Sequence, residues 1–126
     1  MPMTDLEIFD FVAAHLLRQG KQSRCASAGS LYHACLYRNT DGTSCAIGCL
    51  IKDEFYDPEM EGTQIPDNPM AQAAVAKSIG RKLVGHVTDV LNMLQRVHDN
   101  DQPRHWPRRL SEARSDLFPD APPIPA

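Results

Sequence analysis

Residues 38–62 read RNTDGTSCAIGCLIKDEFYDPEMEG, and the way this stretch folds decides what the rest of the chain packs against. Its opening Asn39-Thr40-Asp41-Gly42 contains an Asp-Gly step, the pair that supplies the positive φ of a tight hairpin turn. Residues 32–38 and 43–46 flank it and predict a short two-stranded hairpin. Beyond it Ile47, Leu50, Ile51 and Phe55 recur at helical spacing, which predicts one or two helical turns over 46–54. Gly48 follows the strand, where the missing Cβ lets another backbone come close beside the small Ala46 and Cys49. Residues 56–69 hold three prolines and a glycine and read as an irregular loop.

Working outward, Thr4 and Glu7 have capping-box spacing ahead of Leu6, Phe9, Val12, Ala13, Leu16 and Leu17, so 4–19 is a helix stopped by Gly20. Residues 21–30 are small and polar, a loop. Asn68-Pro69 starts an alanine-rich helix that ends near Gly80. Val84, Val87, Leu91, Leu94 and Val97 make the longest apolar stripe and predict a helix over 81–98, ended by His98-Asp99-Asn100-Asp101. Trp106, Leu110, Ala113 and Leu117 share one face of a last helix beginning at Pro107. The fold expected is α+β, mostly helical: about four main helices packed on a short β-hairpin. It forms a single domain over 1–118, with 119–126 a proline-rich extended or disordered tail.

A chain of 126 residues has room for one core, and its 42% hydrophobic and 23% charged residues are those of an ordinary globular protein. No apolar run is long enough to cross a bilayer. The first ten residues hold three acids and no base, the reverse of a secretory leader, which points to the cytosol. There the cysteines at 25, 35, 45 and 49 are expected to be reduced thiols. A net charge of −3 lacks the global positive field of a dedicated nucleic-acid binder.

Cys45 and Cys49 lie four apart and could ligate zinc with Cys35, the set being completed by His33, His98 or Cys25. Without a Cys-x2-Cys knuckle, packing as small apolar groups is the preferred reading, and no cofactor is expected. Cys45 close to a helix N-terminus could instead be a nucleophile with His98 as base and Asp101 as orienter. Asp99, adjacent in sequence to His98, is the poorer orienter. A helix end and the cap of the next helix account for His98–Asp101 without catalysis.

The charges are segregated. Asp53, Glu54, Asp57, Glu59, Glu61 and Asp67 follow Lys52 with no further base, and they lack the alternating spacing of a calcium loop. Arg104, His105, Trp106, Arg108, Arg109 and Arg114 cluster with only Glu112 among them. An acidic surface fits a basic partner, and arginines beside an aromatic fit phosphate and base, although Trp106 is in register with the core. The opposite signs also permit a homodimer.

The run LYRNTDGTSCAIGCLIKDE, followed by LNMLQRVHDN and then WPRRL, resembles a broad group of small phage- and prophage-associated bacterial proteins. The matching positions are Gly42, Cys45, Ala46, Ile47, Gly48, Leu91, Leu94, His98, Asp99 and Trp106, within 31–117. The acidic insertion at 53–67 departs from the shorter members. No activity is established for the group, so no site residue carries over. The resemblance implies a mobile-element accessory protein that binds a host protein or complex, for instance as an inhibitor of a defence or nucleic-acid-processing assembly. Partner-binding candidates are the acids at 53, 54, 57, 59 and 61 with Arg104, Arg108 and Arg109. The alternatives are a zinc-stabilised nucleic-acid-binding module and a cysteine-dependent hydrolase or transferase.

Overall fold

The first helix, α1 (Asp5–Gln19), begins as its sequence predicts. Thr4 Oγ1 accepts from Glu7 N at 3.1 Å while Glu7 Oε1 accepts from Thr4 N at 3.0 Å, and Gly20 closes the helix in the left-handed region. The computed structural model describes residues 3–25, 34–35, 37–38, 42–61 and 68–121, with backbone only at 24–25 and 34–35. Expectations for 26–33, 36, 39–41, 62–67 and 122–126 lie outside the described residues.

Three further helices follow: α2 (Pro69–Ile79), α3 (His86–Asn100) and α4 (Trp106–Leu117). Asn68 caps α2 by accepting from Ala71 N, and Gly80 ends it at φ 76°. α1, α3 and α4 pack on one another, while α2 lies against the 3-10 turns Gly48–Leu50 and Asp53–Phe55. The core between them includes Phe9, Leu16, Ile47, Leu91, Leu94 and Trp106, all fully or almost fully buried. Among the described residues no helix is long and apolar enough to cross a membrane.

Two helix starts differ from the sequence reading. α3 starts at His86, because Gly85 ahead of it takes φ 71° and ψ −139°, a conformation only glycine adopts readily. Val84 therefore stands outside the apolar stripe and is 67% exposed. α3 also runs on through Asn100, so that His98 and Asp99 are inside the helix and Asp101 is the residue after it. α4 starts at Trp106, one residue before the proline expected to open it.

The larger correction concerns fold class: among the described residues the protein is helical, not α+β, and the expected hairpin does not form as a ladder of paired strands. Among the described residues, extended pairing is limited to Arg24–Cys25 against Ala34–Cys35 and to a single bridge between Arg38 and Ser44. Gly42 does take a positive φ of 88°. The physical reason is competition for the backbone. A two-stranded ribbon is marginal in water, and the residues on either side of Gly42 are held by side chains from elsewhere in the chain. Gln19 grips Ser44 from both sides, its Oε1 accepting from Ser44 N at 2.8 Å and its Nε2 donating to Ser44 O at 2.9 Å. The Glu61 carboxylate accepts from Tyr37 N at 2.8 Å and from Arg38 N at 3.0 Å. Likewise, the helical turns expected over 46–54 are two separate 3-10 turns, joined by extended Ile51 and Lys52.

Gly48 has the packing role its sequence context suggested, and the backbone that approaches it is that of Tyr37. A Cβ built on it would stand 1.9 Å from Tyr37 O and 2.6 Å from Tyr37 C, so the two backbones touch. At Gly42 a Cβ would meet nothing within 4 Å. We therefore expect Gly48→Ala to destabilise the protein by more than about 3 kcal/mol, and Gly42→Ala by about 1 kcal/mol from its positive φ alone. Urea unfolding midpoints of the two variants against wild type check the ordering; equal effects would contradict the close approach.

Candidate functional site

The Cys45-Ala46-Ile47-Gly48-Cys49 corner is tied to α3 at Ile47 by a chain of side-chain hydrogen bonds. Ile47 N donates to Gln95 Oε1 at 3.1 Å, and Gln95 Nε2 donates to Asp99 Oδ1 at 2.7 Å. The same Asp99 oxygen lies 2.8 Å from His98 Nδ1, and His98 Nε2 lies 2.9 Å from Ser23 N. A backbone N–H can only donate, so His98 Nε2 must accept and Nδ1 carries the proton that goes to Asp99. The imidazole is thus fixed as one neutral tautomer, completely buried, with its ring stacked on Trp106 at 5.8 Å between centroids. Gln22 Nε2 completes the junction by donating to the carbonyls of His98 at 2.8 Å and Asp101 at 3.3 Å. The loop after α1, the corner and the end of α3 are one buried polar unit.

That unit accounts for His98 without catalysis. Both ring nitrogens are occupied, and Asp99 orients the ring; Asp101, expected in that role, instead meets Arg109 at 3.5 Å. Adjacent residues on a helix rarely pair, but a histidine whose far nitrogen is held by Ser23 leaves its near one facing its own neighbour.

The two described thiols are equally committed. Cys45 Sγ accepts from Gly48 N at 3.2 Å and Cys49 Sγ donates to Ala46 O at 3.1 Å, so each closes its own turn. Burial raises the Cys45 thiol far above its usual range, although the Gly48 amide pulls the other way. Burial also pushes Cys49 up to about 12. A nucleophilic cysteine needs the opposite shift. Among the described residues no three His, Cys, Asp or Glu side chains converge as metal ligands. The zinc set of Cys45, Cys49 and His98 is not brought together, and the side chains of Cys25, Cys35 and His33 lie outside the described residues.

The described part of the acidic segment, 53–61, is built from local turns. Asp57 accepts from Glu59 N at 2.9 Å and starts a 3-10 turn, Pro58–Met60, whose Met60 is buried. Asn68 Nδ2 donates to Met60 O at 2.7 Å, and Glu61 holds the Tyr37 and Arg38 amides. Tyr56 donates to Glu61 Oε2 at 2.6 Å; burial first, then that carboxylate, pushes its phenol up to about 12. Glu61 is therefore a structural anchor, while Glu54, Asp57, Glu59 and the Asp53 side chain face solvent. Arg38 spans the inner edge, its Nη2 donating to Ile51 O at 2.7 Å and its Nη1 reaching Asp53 at 2.7 Å, with the guanidinium over the Tyr56 ring. Below it opens a cleft of about 430 Å³ between His15, Ser44, Cys49 and Asp53. Burial lowers the His15 pKa, which favours its neutral form there.

The arginines do not form one open patch. Arg114 is buried against Asp10 at 3.0 Å, Arg108 and Arg109 each meet Glu112 at 3.5 Å, and Arg104 is exposed. Trp106 is fully buried and cannot stack on a base. Sequence reading missed Gln19, Gln22 and Gln95, which carry much of the polar unit. The signal for Gln95 is its position, four residues after Leu91 and next to Leu94 on the apolar face of α3. No protein-family model, curated protein or solved structure matches the chain.

A thiol-directed disulfide reagent at neutral pH should leave Cys45 unmodified in the folded protein and label it only at the rate of global unfolding. Site-resolved mass spectrometry over time checks this. Labelling of Cys45 faster than unfolding would restore the nucleophile reading.

Proposed function

We propose that the protein acts by binding. In this reading it is a phage- or prophage-encoded accessory protein that sets a rigid acidic rim against a basic surface of a host protein complex and so inhibits it. The observation that carries the reading is the contrast at 53–61: the backbone is fixed inward by Met60 and Glu61, while Asp53, Glu54, Asp57 and Glu59 face outward. A surface held in place before the encounter loses little conformational entropy on binding. Clustered like charge also speeds association with an oppositely charged partner and fixes register. The phage association rests on the resemblance at Gly42, Cys45–Gly48, Leu91, Leu94, His98, Asp99 and Trp106. The compensated arginines and the buried Trp106 favour a protein partner over direct binding of nucleic acid.

Affinity capture from bacterial lysate, with and without nuclease, tests the reading when wild type is run beside Glu54→Lys/Asp57→Lys/Glu59→Lys. Wild type should retain a stoichiometric, nuclease-resistant protein, and the triple variant should lose at least about tenfold of it. Recovery of nucleic acid alone, or equal capture by both proteins, would contradict the acidic-rim reading.

A further inference from the structure

The outer side of the α3–α4 pair carries a feature that the acidic rim does not use. A groove of about 210 Å³ runs between the two helices, with Met93, Val97 and Ala113 as its apolar floor. Its edges are charged, and the charges are sorted by position. At the end next to the α3–α4 turn stand Arg96 and Arg109, with Asp101 beside Arg109. Further along α4 stand Glu112 and Asp116. Arg109 is compensated by Asp101 and Glu112. Asp116 is seven residues beyond it, about 10 Å along the helix, which leaves Arg96 as the cation toward the turn and Asp116 as the anion toward the far end.

Arg96 and Asp116 are both exposed, and neither has an ion-pair partner among the described residues. Two unpaired charges of opposite sign at the two ends of an apolar-floored groove are complementary to the same groove turned end for end. A twofold axis through its middle makes that turn. It lays Arg96 of one chain against Asp116 of the other, twice, with the partly exposed Met93 of each chain between the two pairs. A helix of uniform charge from another protein would satisfy one end and oppose the other.

We infer that the α3–α4 groove is a self-association surface, whose occupant is a second copy of this chain related by a twofold axis. A contact made by two ion pairs over one shallow groove is a weak one, so the dimer forms only at high concentration. It uses different residues from the acidic rim and goes beyond the binding reading without resting on it.

Sedimentation equilibrium of the full chain, over a hundredfold concentration range ending near about 1 mM, tests the inference. Wild type should rise from one chain mass toward two. Arg96→Asp alone and Asp116→Arg alone should each weaken association at least about tenfold. Mixing these two variants should restore it, because every facing pair in the mixed dimer again joins an arginine to an aspartate. The double variant Arg96→Asp/Asp116→Arg should dimerise like wild type. Restoration on mixing also shows that each single variant is folded. Wild type that stays monomeric throughout overturns the inference, as do single variants that dimerise normally or a mixture that does not associate. Partner capture by Arg96→Asp at the wild-type level keeps the two surfaces separate.

Discussion

A histidine with no solvent contact organises this protein. His98 cannot be charged without leaving Ser23 N–H facing a second donor, so the fold is built around one tautomer of a neutral ring. Its acceptor nitrogen holds the loop after α1, its donor nitrogen holds Asp99, and through Gln95 that carboxylate reaches the backbone of Ile47. Trp106 covers the face of the ring and starts α4. Segments around residues 23, 47 and 98–106 are therefore joined through one side chain and its immediate partners. Buried networks of this kind are favourable when fully satisfied and costly when any member is lost.

The parts of this architecture that were legible in the sequence are those in which cause and effect lie a few residues apart. Thr4 with Glu7, Gly20, Asn68 with Pro69, and Gly80 bound their helices through local caps, and these limits hold. Gly48 was legible as a close approach because absence of a side chain is itself a local statement. What could not be read depends on groups distant in the chain. The Asp-Gly step at 41–42 and the flanking apolar residues spell a hairpin, but Gln19, 25 residues before Ser44, takes both of its backbone groups. Glu61, counted among the surface acids, turns inward to the Tyr37 and Arg38 amides from 24 and 23 residues away. Composition cannot separate an outward carboxylate from one that replaces a strand.

The same long-range placement decides the chemistry. A cysteine, a histidine and aspartates in this sequence pattern leave a catalytic set open beside packing. Their hydrogen bonds assign them to packing, since every polar atom that catalysis would need is already engaged. The polar unit that removes the reactive reading supports the binding one, because it stiffens the corner from which the acidic rim extends. Rigidity here is a consequence of side chains acting as backbone partners, not of helix or sheet.

That claim makes the amide protons of Ser23, Tyr37, Arg38 and Ile47 the most informative reporters in the molecule, for none lies in a helix and each is bound by a side chain. Native-state hydrogen exchange followed by NMR should find all four protected to nearly the same extent as the core amides of α1. Exchange at the rates of free loops would show that the corner is not held by these contacts, and the account of a rigid rim built on a neutral buried histidine would fail.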